Sequence, residues 1–432
     1  MTFGSRIAIL ILGLASQSCM AWFLAPAGRG SYAVCLLFTT MLTLICLFGC
    51  DVAALYFVAS RRSTLSEGIM NTLLYGGSGC LLAIVAGLVV MQMPLAFLTK
   101  ASVSAFHLSL VLIPIGFFSS TLVLMLNSLS EFVWLAVFTV GGSLTHLVFT
   151  VLFVPLLGWG VEGAMVATNV SGLITIAAVL VLFRRRHGLR PVRPSWPSVV
   201  DMFHYGVKYY VGKISNNVNF QVGAIILAFF ASKEEIGLFT LATMLTAQIM
   251  MIPDTLTTVL IPRVATDKHG RRDLIAQCAR VTLILCGLGL LGLCMFARPI
   301  VGILFSEAFL PMVSLVWISS LGILVRSATK VMVPFMLNTN HPGITSISTA
   351  IGMVTNVILL WLLMPRWGLD GAAWAMTFGY LTGAAVLLAG FVRISGLRHR
   401  EIWRFRWTDW TSFVEVWHGV RGRMGAGLGG AN

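Results

Sequence analysis

The sequence predicts an all-α polytopic membrane protein with about twelve transmembrane helices, arranged as two parallel-repeat six-helix bundles around a central cavity. Three observations predict this class. Hydrophobic residues make up 58% of the chain and charged residues only 10%, so the mean hydropathy is +0.92. The apolar residues form blocks of about 20 residues or more, a length that crosses a hydrocarbon core of about 30 Å. Short motifs of the first half also recur, in the same order, in the second half.

The predicted helices follow one another with only short turns between them. These turns contain proline and glycine, as at 26–28 and 340–343. The eight cysteines lie in or beside the apolar blocks without a CxxC pair, so they are interpreted as small apolar residues rather than disulfides or metal ligands. The predicted helices cover residues 5–24, 31–57, 70–93, 106–127, 132–156, 161–183, 205–231, 236–262, 277–297, 311–338, 343–364 and 369–393.

Lysine and arginine are distributed unequally between the two sides of these helices. If the N-terminus is cytoplasmic, that side receives the basic loops at 184–193 and 263–280 and the tail after Arg393, whereas the other side receives few cations. Cytoplasmic loops are enriched in Lys and Arg, so both termini are predicted to be cytoplasmic. The net charge of +14 then follows from topology, and no nucleic-acid partner is expected.

Matching motifs indicate that the second half of the chain duplicates the first. The motif at 40–43 recurs at 243–246, and Gly163 is matched by Gly371 within similar surroundings. Each half has an even number of helices, so the two repeats insert in the same orientation, related by an axis along the membrane normal. The predicted segments are a first bundle over 1–183, a basic cytoplasmic linker over 184–204, a second bundle over 205–393 and a cytoplasmic tail over 394–432.

Polar and charged residues inside the apolar blocks are the candidate site. A charge at mid-bilayer costs a few kcal/mol or more, so such residues are expected to face a solvated cavity. Arg326 and Lys330 are four residues apart and share one helix face. An excess of cations suits an anionic substrate, and arginine suits bidentate phosphate binding. The predicted cavity residues are Arg326, Lys330, Lys213, Asn216, Asn217, Gln221, Lys208 and Tyr209.

Structural roles remain open for the same residues. Asp51 and Asp254 are assigned either to ion coupling or to charge pairing, and Asp254 could simply neutralise Arg326 or Lys330. The polar stripe of the seventh predicted helix could be interhelical hydrogen-bonding residues, and its lysines could reach the headgroups. No catalytic residue and no metal ligand is assigned.

The tail carries a second feature. Trp403, Trp407, Trp410 and Trp417 follow helical spacing together with Val414, and arginines flank them. This pattern predicts an amphipathic helix that binds anionic membrane lipids. A helix that binds a protein partner is the alternative.

Several motifs resemble a known family. A Gly-x-x-Gly-Ala helix start follows a proline-ended helix at 155–164 and again at 365–372, and further motifs lie at 28–33 and 259–265. These resemble the O-antigen and exopolysaccharide repeat-unit flippases of the MATE-like MOP superfamily, over the chain up to about Arg393. The resemblance implies a MATE-like fold and translocation of undecaprenyl-diphosphate-linked oligosaccharide across the bacterial inner membrane by alternating access.

The same resemblance implies the setting of the protein. Arg326, Lys330 and Lys213 match the cationic residues that meet the diphosphate in such flippases. A polysaccharide polymerase and a chain-length regulator are the implied partners. No cofactor is implied, and coupling to H⁺ or Na⁺ is left open.

Two other functions remain as alternatives. A cation-coupled multidrug exporter, or another lipid exporter of the superfamily, would have the same architecture but is expected to hold cationic drugs with acidic residues. A membrane polymerase or glycosyltransferase would need paired carboxylates on a substantial outer loop, and the outer loops predicted here are short.

Overall fold

The computed structural model describes residues 3–257 and 271–404, and helices joined by short turns account for nearly all of them. No β-strand occurs in this described part of the chain. The helices are α1 (Phe3–Cys46), α2 (Cys50–Ala59), α3 (Leu65–Met91), α4 (Val103–Ser128), α5 (Phe132–Val151), α6 (Gly160–His187), α7 (Trp196–Phe230), α8 (Lys233–Ala247), α9 (Arg271–Met295), α10 (Ala297–Phe305), α11 (Met312–Lys330), α12 (Val333–Asn338), α13 (Pro342–Ser395) and α14 (His399–Trp403).

Nine helical segments of the described residues are long and apolar enough to cross a membrane. Two of them are bent and therefore hold two spans each, since α1 bends at Ala25 (φ 54°) and α13 at Gly368 (φ 55°). Ala25 precedes Pro26, and the residue before a proline is driven out of the helical region. Together with α7, which is 35 residues long, this arrangement confirms the predicted all-α polytopic fold with about twelve spans.

The second predicted helix, 31–57, is interrupted in the structure. Phe48 (φ 41°) and Gly49 (φ 73°) separate α1 from α2. A β-carbon on Gly49 would lie 2.5 Å from the carbonyl oxygen of Gly206 in α7, so the interruption lets two backbones touch. The Tyr75 hydroxyl donates a hydrogen bond to the Phe48 carbonyl at 2.7 Å, which satisfies an acceptor that the broken helix leaves without its usual partner.

The linker predicted over 184–204 is largely helical. α6 continues to His187 and α7 begins at Trp196, so only residues 188–195 lie outside helices. Gly188 ends α6 in the left-handed conformation (φ 61°), as is common for the residue after a helix. Pro197 lies in the first turn of α7, where the missing N–H of proline costs no helical hydrogen bond.

The chain forms two compact units. Unit 1 includes the first part of α7 as well as the earlier helices, because α7 packs through Gly206 on the break at 48–49. The unit boundary therefore differs from the boundary predicted at 204. Unit 1 is Met1–Asn217, Leu227–Leu238 and Leu304–Ala308, and unit 2 is Val218–Ile226, Phe239–Ile303 and Phe309–Asn432.

The end of α7 and the start of α8 belong to unit 1 through two contacts. Lys100, which is only 9% exposed, donates hydrogen bonds to the carbonyls of Ala228 (2.5 Å) and Ala231 at the end of α7. Burial lowers the pKa of Lys100, and Glu235 partly offsets that shift. Gly30 has no room for a β-carbon because the carbonyl of Lys233 occupies that place.

The repeated glycines form matching turns, one in each unit. A β-carbon on Gly163 would lie 2.8 Å from the carbonyl oxygen of Phe153, and one on Gly371 would overlap the carbonyl of Leu363. Each glycine thus lets a span begin directly against the last turn of the span before it. The sequence duplication therefore corresponds to the same local structure within unit 1 and within unit 2.

Candidate functional site

Arg326 lies near the end of α11 and stacks on Tyr380 of α13. The guanidinium carbon is 4.6 Å from the centroid of the Tyr380 ring, and the guanidinium also donates a hydrogen bond to the Tyr380 hydroxyl. A cation–π contact of this kind stabilises by about 0.5–2 kcal/mol, more when it is desolvated. The tyrosine thus holds a cation within a membrane-spanning helix pair.

Gly322 brings these two helices together. It lies one turn before Arg326, and a β-carbon there would be 2.9 Å from Thr377 Cα and 3.1 Å from Tyr380 Cδ2. The Thr377 hydroxyl donates a hydrogen bond to the carbonyl of Ile318 at 2.9 Å. The small residue in α11 and the cross-helix hydrogen bond therefore set the position of Tyr380 beside Arg326.

Lys330 forms an ion pair with Asp254, which lies in the helical segment 251–257. The two side chains are 31% and 47% exposed. Lys330 follows Arg326 by one turn on the same face, and Asp254 also attracts Arg326 electrostatically. We call Arg326, Lys330, Asp254 and Tyr380 the Arg326 cluster. It combines two cations with one anion, so its net charge is positive.

Asp51 and the polar stripe of α7 are the other predicted site residues. Asp51 lies in the first turn of α2, in unit 1, whereas the Arg326 cluster lies in unit 2. α7 is helical through the predicted polar stripe, but its side chains there lie outside the described residues. They are Lys208, Tyr209, Lys213, Asn216, Asn217 and Gln221.

Unit 1 contains a second polar cluster, which the sequence analysis missed. Arg29 is only 5% exposed, donates a hydrogen bond to the Gln17 side chain at 2.5 Å, and lies 5.1 Å from the centroid of the Tyr32 ring. The Thr168 hydroxyl lies 3.1 Å from the Tyr32 hydroxyl and 3.3 Å from His146 Nε2. We call these five residues the Arg29 cluster.

The two clusters differ in how far the sequence could have predicted their contacts. Arg29 and Tyr32 are three residues apart, so their contact on one helix face could have been predicted. Tyr380 lies in a different span from Arg326 and has no local relation to it. Only the scarcity of tyrosine, seven in the whole chain, marks Tyr380 as unusual within an apolar helix.

The Arg326 cluster has the chemical groups that an anion site requires. Stacking on Tyr380 uses the face of the guanidinium, and one donor bonds to the Tyr380 hydroxyl. A guanidinium carries five N–H donors in a planar arrangement that matches phosphate. Among residues 3–257 and 271–404, no group of three or more His, Cys, Asp or Glu side chains could hold a metal ion.

Comparison with known proteins gives a family and a fold. The family model described as "Polysaccharide biosynthesis protein" matches residues 2–266. A probable low-salt glycan biosynthesis flippase of Haloferax volcanii, Agl15, is 24% identical over 211 residues. That alignment covers 47% of this chain and 44% of the relative, so the chain spans less than half the length of this curated protein.

Two solved transporter structures share the fold over most of the chain. The lipid II flippase MurJ, in an inward closed conformation, superposes with a TM-score of 0.74 at 15% identity and covers 99% of this chain and 98% of its own. An inward-facing multidrug resistance MATE family transporter of the MOP superfamily superposes with a TM-score of 0.68 at 19% identity, covering 90% and 98%. Both comparisons confirm the predicted MATE-like two-lobe class.

Proposed function

Because the chain belongs to the polysaccharide biosynthesis protein family, we propose that it is a flippase for a lipid-linked oligosaccharide. The substrate we propose is an undecaprenyl-diphosphate-linked repeat unit, moved across a bacterial inner membrane by alternating access. The similarity to the Haloferax relative, a probable glycan biosynthesis flippase, and the transporter fold support this proposal.

The net positive charge of the Arg326 cluster is the observation that carries the proposal. A lipid-linked oligosaccharide combines a diphosphate, which is strongly anionic, with an apolar chain that stays among lipids. Arg326 supplies paired N–H donors for the phosphate oxygens, and Tyr380 fixes the plane of these donors before the substrate arrives. Preorganisation of this kind reduces the entropy that binding costs.

Lys330 allows the site to exchange one anionic partner for another. Its ammonium group is paired with Asp254. A diphosphate that binds Arg326 can compete with the Asp254 carboxylate for Lys330, which lies one turn away on the same face. When the substrate leaves, the Asp254 carboxylate pairs with Lys330 again. This role supports charge pairing, rather than ion coupling, for Asp254.

The competing functions fit the cluster less well. A multidrug exporter that holds cationic drugs needs an excess of acidic residues, whereas the described cluster has an excess of cations. A polymerase or glycosyltransferase needs a proton donor and acceptor at a sugar. The one carboxylate of the Arg326 cluster is engaged in an ion pair.

The cellular setting follows from the same proposal. Both termini are proposed to be cytoplasmic, with a polymerase and a chain-length regulator receiving the flipped repeat unit. Tail residues Trp407, Trp410, Val414 and Trp417 are proposed to bind anionic lipids, and they lie outside the described residues. Coupling to H⁺ or Na⁺ is proposed to involve Asp51.

Substitution of Arg326 tests the proposal. Loss of a charge-assisted contact to a phosphate costs about 1.5–3 kcal/mol, which corresponds to a ten- to hundredfold loss of affinity. Arg326→Ala is therefore expected to abolish complementation of a flippase-null strain, while the protein is still present in the membrane. Arg326→Lys is expected to complement partly, because lysine keeps the charge but not the paired donors.

Arg366→Ala is the matched control. Arg366 is an exposed cation of α13 that lies outside the Arg326 cluster. This variant should complement fully. Full complementation by Arg326→Ala, or equal loss in both variants, would show that the cluster does not bind the substrate.

A further inference from the structure

Unit 1 contains a cleft of ≈ 900 Å³ between α3, α4 and α6, and the chain at 188–191 forms its roof. This volume is typical of ligand sites, which range over about 300–1,000 Å³. Leu73 of α3 and Val181 of α6 line the cleft and are 46% and 50% exposed. Because both helices cross the membrane, these exposed apolar side chains indicate that the cleft opens toward lipid.

Hydrogen bonds fix the roof of the cleft. Gly188 turns the chain back over α6 with a left-handed backbone. The Arg190 amide then donates to the Ser66 hydroxyl at 3.3 Å, and the Ser195 amide donates to the Asn71 side chain at 2.9 Å. Both acceptors lie on α3, so the cleft is a preformed feature of unit 1.

The interior of the cleft is apolar apart from two threonines, of which Thr72 donates its hydroxyl to the Gly68 carbonyl at 2.7 Å. Ile69, Leu122, Met125 and Leu180 form much of the wall. Thr121 also lines it, is 1% exposed, and its hydroxyl has no hydrogen-bond partner among the described residues. This hydroxyl is itself buried, so the cleft presents an apolar surface that suits an acyl chain.

The mouth of the cleft is cationic. Arg184 and Arg190 line it and are exposed. The nearby carboxylate of Glu131 pairs instead with Arg186 (3.3 Å) and His187 (3.5 Å), and no carboxylate lines the cleft. A basic pocket between membrane-spanning helices at the headgroup level complements an anionic lipid headgroup.

Unit 2 fills the corresponding place with its own chain. Met336 matches Met125 in the sequence repeat and lies in a core cluster that includes Leu397 and Ile402, from the segment after the last span. Ile402 is fully buried, and Arg280 holds this segment by donating to the Ile402 carbonyl at 2.9 Å. In unit 2, apolar side chains from the protein itself therefore occupy the space among these helices.

We propose that the cleft of unit 1 binds one anionic phospholipid of the surrounding leaflet. An acyl chain occupies the apolar interior, in the place that Leu397 and Ile402 take in unit 2, and the phosphate lies between Arg184 and Arg190. The bound lipid joins the last turn of α6 to the roof at 188–191. This site is distinct from the Arg326 cluster, so it does not depend on the proposed transport activity.

Native mass spectrometry of the purified full-length protein tests the proposal, with phosphatidylglycerol and phosphatidylcholine as probes. Each arginine near a headgroup is expected to contribute about five-fold to affinity. Arg184→Gln with Arg190→Gln should therefore lower phosphatidylglycerol affinity roughly 25-fold. The same pair should lower phosphatidylcholine affinity much less, because the choline cation offsets the charge of its phosphate. Arg185→Gln with Arg193→Gln removes the same charge from exposed sites outside the cleft and should leave the phosphatidylglycerol affinity as in the wild type.

A substitution that fills the cleft tests the proposal independently of the charge changes. Leu180→Trp should remove binding of the specifically held phosphatidylglycerol, whereas Leu173→Trp, on the exposed face of α6 outside the cleft, should retain it. The proposal is overturned if the control pair of arginine variants loses as much affinity as the cleft pair, or if Leu180→Trp binds normally. It is also overturned if undecaprenyl phosphate displaces phosphatidylglycerol at equal concentration through Arg184 and Arg190, because the cleft would then serve the carrier lipid.

Discussion

Arg29 and Arg326 show two ways in which this protein holds an arginine among apolar helices. Both stack on a tyrosine, with the guanidinium carbon 5.1 Å and 4.6 Å from the ring centroid. Arg29 is almost completely buried and bonded to a neutral amide, so it is fixed in one arrangement. Arg326 has Lys330 and Asp254 beside it, and that pair is partly exposed. We therefore place the proposed exchange with a ligand at the second arrangement.

Asp254→Asn is expected to increase the affinity for a polyprenyl diphosphate and to slow its release. In the proposed mechanism the Asp254 carboxylate competes with phosphate for Lys330, and the substitution removes this competitor. A partly exposed ion pair contributes about 0.2–1 kcal/mol, so affinity should rise between slightly and about five-fold. Equilibrium binding of undecaprenyl diphosphate to the purified protein measures this change.

Asp273→Asn is the control for that measurement, because Asp273 is an exposed carboxylate in the first turn of α9. It should leave the affinity unchanged. A lower affinity in Asp254→Asn would contradict the exchange role and would favour a direct role of the carboxylate in binding.

Glycines decide how closely the helices of each unit approach. Gly49 and Gly206 allow α2 and α7 to touch in unit 1, and Gly322 allows α11 to touch the second half of α13 in unit 2. In both places a β-carbon would lie under 3.0 Å from backbone atoms of the neighbouring helix. Close packing through small residues is the usual basis of helix association in membranes, where the hydrophobic effect does not favour one helix contact over another.

Gly322→Leu is expected to separate α11 from α13 and to displace Tyr380 from Arg326. Overpacking of this kind typically costs about 1–3 kcal/mol. The expected result is a lower unfolding temperature together with weaker binding of undecaprenyl diphosphate. Thermal unfolding in detergent and equilibrium binding measure the two effects.

Gly292→Ala is the matched control, because nothing lies within 4 Å of a β-carbon at that position of α9. It should leave the binding unchanged and stabilise the helix slightly, since Gly inside a helix costs about 0.5–1 kcal/mol relative to Ala. Normal unfolding and binding in Gly322→Leu would show that the close approach does not position Tyr380.

The helices of this protein could be predicted from the sequence, because length and hydropathy determine them. Contacts between distant parts of the chain could not be predicted. The spans follow from apolar blocks, because a hydrocarbon core leaves a helix as the simplest structure that satisfies every backbone hydrogen bond. The shared face of Arg326 and Lys330 follows from helical spacing. Tyr380 could not be assigned to Arg326, because a helix–helix contact depends on packing that spacing does not encode. The break at 48–49 was missed for the same reason.

At the scale of the whole molecule, the two units share several local structures but differ in the segments that follow their last spans. Gly163 and Gly371 hold equivalent turns. Phe183 and Phe391 are fully buried near equivalent helix ends, which Gly188 and Gly396 close in the left-handed conformation. After these ends the units diverge, since unit 2 packs Leu397 and Ile402 into its core and unit 1 leaves a cleft.

Reporter fusions test the orientation of the whole chain. A fusion after Gly188, beside the arginines at the end of α6, should report the cytoplasm, because positively charged loops remain on that side. A fusion after Ser102, between α3 and α4, should report the outer side. The reverse result at both sites would show that both termini lie outside, and the same side at both would contradict the number of spans between them.

The composition of unit 1 also has a consequence for biosynthesis. Lys100 reaches its two acceptor carbonyls only at the end of α7, and Gly30 meets its neighbour only at the start of α8. At about 5–20 residues per second, the ribosome needs several seconds after completing α6 to supply these segments. During that interval the ammonium group of Lys100 must stay in contact with water, headgroups or the insertion machinery. The seventh span therefore completes the first unit, and the nascent chain cannot finish folding it one repeat at a time.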